Sequence, residues 1–162
     1  MLRRGRRVEP ALVWIPPEVA RELEREADRC SPLETGGVLL GYEDTEECGQ
    51  LQLVTTVGPG PRAAHRRHRF EPDSMWQRDR IATIYRKSGN VVTYLGDWHS
   101  HPHGSGKPSR LDRRTARRIA RFTEARVPHP LMLIVSGGQD SWALHAYRYE
   151  RRQLQYVDFW PE

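Results

Sequence analysis

The stretch Val91 to Ser100 (VVTYLGDWHS) restricts this chain's fold more than any other. Its β-branched and aromatic residues read as a central strand, which runs into the proline- and glycine-bearing loop His101 to Pro108. His99 and His101 are two apart at the strand end, so the pleat turns both imidazoles to one face. A helix follows from Ser109, with Leu111, Thr115, Ile119 and Phe122 on one stripe and Arg113, Arg117 and Arg121 opposite. The loop is long enough to fold the first helical turn, which carries Asp112, back over the strand end.

The remaining sequence alternates strand and helix patterns. A length of 162 residues with a 37% hydrophobic fraction suits one compact domain with a single core. Residues 1–10 are basic and aperiodic and read as a flexible arm, so the domain is expected over 11–162. Leu12 to Ile15 reads as a short strand, and Pro16 and Pro17 suit the start of a helix with Val19, Leu23, Ala27 and Cys30 on one face. Thr35 to Tyr42 and Gln50 to Val57 read as a hairpin, joined by the acidic stretch Glu43 to Gly49. Arg62 to Arg69 reads as an exposed loop, followed by a helix from Pro72 to about Lys87. Leu131 to Val135, Trp142 to Tyr149 and Leu154 to Phe159 read as three closing strands. The class expected is α/β, an α+β mixed sheet flanked by helices.

Composition narrows the chemistry. Lys and Arg number 26 against 21 Asp and Glu, a formal charge of +5 carried mostly by arginine. Such a surface suits an acidic partner or phosphate, and equally a solvated exterior. Nucleic acid is not the expected partner, because the arginines are spread along the chain and no aromatic residues interleave with them. Cys30 and Cys48 have no metal-binding spacing, so a metal must be held by histidine and carboxylate. The apolar run Ala11 to Ile15 is too short for a signal-peptide core or a membrane span, which leaves the cytoplasm as the expected compartment.

His99, His101 and Asp112 together form a candidate His2Asp site with a coordination position left open, as in catalytic zinc centres. Each piece alone has an ordinary explanation. His-x-His pairs occur on strand ends by chance, and Ser109-x-x-Asp112 at a helix start matches a capping box. The conjunction with Glu34, an acid ahead of a Gly-Gly strand, is what those explanations leave out. His103 lies beyond Pro102, which breaks the alternation that would aim it at an ion. His65, His68, His129 and His145 read as surface or packing residues, and Trp98 and Trp142 as core or pocket wall.

Glu34, Trp98-His99-Ser100-His101-Pro102 and Ser109-Arg110-Leu111-Asp112 resemble the JAMM motif of the JAB/MPN zinc metalloproteases. The surrounding stretches ETGGVLLG, GPGP, YLGDWHSHP and LMLIVSG also resemble bacterial members, over roughly Ala11 to Tyr147. The resemblance implies the JAB/MPN fold, a cytidine-deaminase-like arrangement, with Zn2+ on His99, His101 and Asp112. It further implies that Glu34 takes a proton from the zinc-activated water and that Ser109 donates a hydrogen bond to the developing oxyanion. Substrates would be amide bonds at the C-terminus of a ubiquitin-like or carrier protein, with Arg62 to Arg69 contacting an acidic partner surface. Three other readings stay open at this point: an iron(II) site on the same ligands, a non-catalytic scaffold, and a basic binding module.

Overall fold

The structure, a computed structural model, describes residues 12–44 and 49–160. The basic arm expected over residues 1–10 lies outside them, as does part of the acidic stretch before Gly49.

In chain order the elements are β1 (Val13–Trp14), α1 (Pro17–Cys30), β2 (Gly36–Asp44), β3 (Gln50–Val57), β4 (Ala64–Arg66) and β5 (Arg69–Glu71). There follow α2 (Ser74–Lys87), β6 (Thr93–Pro102), α3 (Arg110–Arg121), a 3-10 turn (Thr123–Ala125), β7 (Leu131–Gly138), β8 (Ser141–Glu150), β9 (Gln153–Tyr156) and β10 (Phe159–Trp160). Eight strands form one sheet in the order β10-β1-β3-β2-β6-β7-β8-β9, and β4 and β5 pair separately. The sheet is mixed, as the alternating pattern implied: β6 runs antiparallel to β2 and parallel to β7.

Alternation along the central strands decides which side chains meet which layer. On β7, Leu131, Leu133 and Val135 join the cluster under α1, while Met132 and Ile134 join the cluster under α3. A strand buried on both faces reads as a continuous apolar run, and LMLIV is one. On β6, Trp98 is 2% exposed and packs into the α1 cluster. The same period turns Asp97, His99 and His101 to the other face, toward α2 and α3. Pro17 opens α1, and Val19, Leu23 and Ala27 are its buried residues.

Three expectations need correcting. Leu154 to Phe159 is not one strand: β9 and β10 sit at opposite ends of the strand order, with only Val157 and Asp158 between them. The Val157 N–H still donates to the Ala146 carbonyl on β8, and the Asp158 carbonyl accepts from Val13 on β1, each at 3.0 Å. The sheet therefore curls until its two edges meet. Arg62 to Arg69 is not wholly loop. It contributes to the β4–β5 hairpin, where the His65 and Phe70 rings lie 5.6 Å apart and Arg69 pairs with Glu71 at 2.8 Å. The helix expected from Pro72 starts at Ser74, because the Asp73 side chain accepts from the Trp76 N–H and fixes the cap.

The orientation of α3 bears on the site. The stripe Leu111, Thr115, Ile119 and Phe122 does not face the core; Leu111 and Phe122 are 49% and 47% exposed, and the buried residues of α3 are Asp112 and Ala116. Helix α3 is turned to bring a carboxylate to the strand end, and its apolar stripe borders cavities instead.

Leu133, fully buried and opposite Trp98 on β6, marks the centre of the core. Leu133→Ala should cost about 2–5 kcal/mol in denaturant unfolding, while Val54→Ala, on a 43% exposed strand position, should stay within about 0.5 kcal/mol.

Candidate metal centre and active site

The end of β6 and the start of α3 bring three donors together. His99 Nε2 lies 3.0 Å from His101 Nε2 and 3.2 Å from Asp112 Oδ1, and His101 Nε2 lies 3.5 Å from Asp112 Oδ2. Donors about 2.0 to 2.1 Å from a tetrahedral ion stand about 3.3 Å from one another, so this spacing fits a single metal ion. Among the described residues, these three form the group of His, Cys, Asp and Glu side chains able to share one. His103 is not part of it: the residue is exposed in the left-handed region with φ 57°, and its N–H donates to the Gly137 carbonyl.

His101 Nδ1 lies 2.8 Å from the Ser105 carbonyl. A carbonyl only accepts, so that hydrogen bond places the proton on Nδ1 and leaves the Nε2 lone pair for a metal. Burial works against a charge on His101, but the hydrogen bonds with Asp112 and Ser105 outweigh it and raise its pKa.

Asp112 serves two purposes. The Ser109 N–H donates to Asp112 Oδ2 at 2.5 Å and the Asp112 N–H donates to Ser109 Oγ at 3.2 Å, a complete capping box. The cap fixes the carboxylate in the first helical turn, and the same carboxylate meets both imidazoles. Capping and metal binding are therefore compatible here. Burial alone would raise the Asp112 pKa, but hydrogen bonds from His101 and His99 hold it well below the usual carboxylate range.

Glu34 is held by two neighbours. From the β4–β5 hairpin, the Arg66 carbonyl accepts the Glu34 N–H at 2.8 Å, and His65 Nδ1 donates to the Glu34 carbonyl at 3.0 Å. From β6, the Ser100 N–H donates to the Thr35 carbonyl at 2.8 Å and the Thr35 N–H donates to Ser100 Oγ at 3.0 Å. The Glu34 side chain borders one cleft of about 150 Å³ with His99, Asp112 and Leu111. Burial raises its pKa, although the charges of His101 and His99 oppose the shift. A carboxylate whose pKa is raised, beside side chains able to share a metal ion, is suited to taking and returning a proton.

Three residues of the site carry roles the sequence reading did not assign. Ser100, fully buried between the histidines, ties β6 to the backbone that carries Glu34. His65, expected as surface or packing, clamps the Glu34 carbonyl. Asp97 lies on the histidine face and lines the cleft beside Arg118; Tyr94 donates to it at 2.7 Å, and burial raises its pKa. The period-two pattern through 97, 99 and 101 was the available signal for Asp97. Nothing in the sequence marks a residue that acts through partners far along the chain.

Ser100→Ala strands a buried Thr35 N–H, so it should cost about 1–3 kcal/mol of stability in denaturant unfolding, while Ser100→Thr should recover most of that loss.

Comparison with known proteins places the chain. Residues 16–148 match the model of prokaryotic homologs of the JAB domain. A protein of Sinorhizobium fredii named "Probable metalloprotease y4qB" is 41% identical over 139 residues, which cover 85% of this chain and 84% of that protein. A "CD-NTase/cGAS isopeptidase" of Vibrio cholerae is 30% identical over 110 residues, 67% of this chain and 65% of its own length. In fold, the solution structure of protein DSY2949 from Desulfitobacterium hafniense superposes with a TM-score of 0.68 at 19% identity, covering 91% of this chain and 90% of that one. The named relatives support a hydrolase activity. The site geometry and the match over most of its length agree: the chain belongs to the prokaryotic JAB family.

Proposed function

We propose that this protein is a JAMM-type zinc metallopeptidase or isopeptidase that hydrolyses an amide bond at the C-terminus of a ubiquitin-like or carrier protein. The observation that carries the reading is the convergence of His99, His101 and Asp112 at single-ion spacing beside the desolvated Glu34. Two histidines and a carboxylate suit iron as well as zinc, but a half-buried glutamate at the rim favours hydrolysis. A bound zinc supplies a Lewis acid and acidifies a coordinated water to a pKa near 7.

The remaining chemistry belongs to the chain. Glu34 takes the proton of the attacking water as the C–O bond forms, then passes it to the leaving amine as the C–N bond breaks. Ser109 Oγ already accepts from the Asp112 N–H, which leaves its own O–H free to donate to the developing oxyanion. The tip of the β4–β5 hairpin, with Arg66, Arg67 and His68 exposed, stands over the backbone of Glu34 where a substrate tail would approach. Beyond α3, a groove of about 1360 Å³ combines Arg78, Arg114, Arg117 and Arg121 with Tyr85 and Phe122. That mixture suits a protein partner with an acidic face. The printed name of the isopeptidase relatives points to a protein substrate as well. Among the described residues, no helix is long and apolar enough to cross a membrane.

Elemental analysis after zinc reconstitution should find about one ion per chain, largely lost in Asp112→Ala. Glu34→Gln should keep the metal yet slow cleavage of ubiquitin-like fusions by about 10²- to 10⁴-fold. Because Glu34 must be ionised to accept a proton and its pKa is raised, activity should fall with decreasing pH at a value above the ordinary 4.5. Metal-free protein with full activity would sink the reading. Reversing charge with Arg66→Glu and Arg67→Glu should lower kcat/KM for a full-length acidic conjugate and leave a short C-terminal peptide unaffected.

A further inference from the structure

The loop from His103 to Pro108 separates the second histidine from the capped start of α3, and its middle is seated on β8. Gly106 is buried against the His145 ring: a Cβ placed there would lie 2.0 Å from His145 Cδ2 and 2.2 Å from Nε2. His145 is itself fixed, with Nε2 2.9 Å from Ser136 Oγ, and Ser136 stands opposite His101 in the β6–β7 register. Two residues along β8, on the same face, the Tyr147 hydroxyl donates to the Gly106 carbonyl at 2.8 Å. The preceding carbonyl, that of Ser105, accepts from His101 Nδ1. Two successive carbonyls of the loop are thus pinned, one by β8 and one by the metal-site histidine.

We propose that Tyr147, with the glycine seat at 106, is a positioning device for His101: β8 holds the loop where the Ser105 carbonyl fixes that imidazole's tautomer and orientation. The inference rests on the metal-site reading above. Partners that hold the remote nitrogen of a ligand histidine commonly alter metal affinity by about 10- to 100-fold when lost. Gly106 has an ordinary φ, so an alanine there meets no backbone penalty and acts only by colliding with His145. Tyr147 also packs edge-on to Tyr156, with ring centroids 5.9 Å apart, and phenylalanine preserves that contact while deleting the hydroxyl.

The test measures zinc affinity by chelator competition, together with the imidazole nitrogen signals of His101 in metal-free protein by NMR. Tyr147→Phe should weaken zinc binding about tenfold and shift the His101 Nδ1 signal, with thermal stability near that of the parent. Tyr156→Phe, a hydroxyl deletion away from the loop, should change neither. Gly106→Ala should weaken zinc at least as much, and Gly106→Ala with His145→Ala should restore part of the loss. Unchanged zinc affinity and unchanged His101 signals in Tyr147→Phe would overturn the proposal. A parent protein that binds no zinc, yet whose His101 signals shift in Tyr147→Phe, would refute the metal reading while supporting the loop coupling.

Discussion

Two hydrogen bonds between Ser100 and Thr35 join the halves of the site. Glu34 and the two histidines are far apart in sequence, and they serve one reaction only if β2 and β6 keep a single register. Slipping a strand by one residue would move every side chain to the opposite face. Ser100 makes that slip expensive because its hydroxyl and its N–H both bind Thr35 in a place water does not reach. Gly36 and Gly37 complete the join: a Cβ on Gly36 would lie 2.4 Å from the Trp98 carbonyl, and one on Gly37 2.1 Å from the Val57 carbonyl. The glycine pair is therefore a packing requirement of the strand that positions the glutamate.

The second constraint is the use of one carboxylate for two tasks. A capping residue is normally exposed, and a metal-binding carboxylate is normally enclosed. Asp112 is 8% exposed because the loop brings the helix start down onto the strand end. Its hydrogen bonds with the imidazoles and the Ser109 N–H offset the burial of its charge, as a buried ionised group requires. The helix dipole adds to this, since a negative charge belongs at an N-terminus. The fold thus keeps Asp112 ionised among the imidazoles by its own hydrogen bonds.

Local periodicity made much of this legible. The helices, the strands and the placing of two histidines on one face follow from spacings of two, three and four residues. Glu34 stood out as an acid ahead of a Gly-Gly strand and the family resemblance supplied its role, but its approach to the histidines depends on a β2–β6 pairing that no local pattern encodes. Long-range closure was not legible: a break of two residues after Tyr156 sends the chain from one sheet edge to the other, and Leu154 to Phe159 gives no sign of it. The same holds for Arg62 to Arg69, whose polar sequence reads as loop because the hairpin is held by one aromatic pair and by Glu34 backbone contacts rather than by a buried face.

The orientation of helix α3 also explains the site. Its strongest apolar stripe, Leu111, Thr115, Ile119 and Phe122, gives the expected inward face for a helix that only packs. Turning that stripe toward the core would carry Asp112 away from the histidines, since adjacent residues on a helix differ by about 100° around the axis. The observed rotation sacrifices apolar burial to keep the carboxylate at the strand end, and the displaced stripe borders the cleft at Leu111 and Thr115 and the arginine-lined groove at Ile119 and Phe122. A single rotation thus sets the carboxylate beside the imidazoles and leaves apolar side chains of one helix lining both the cleft and the groove.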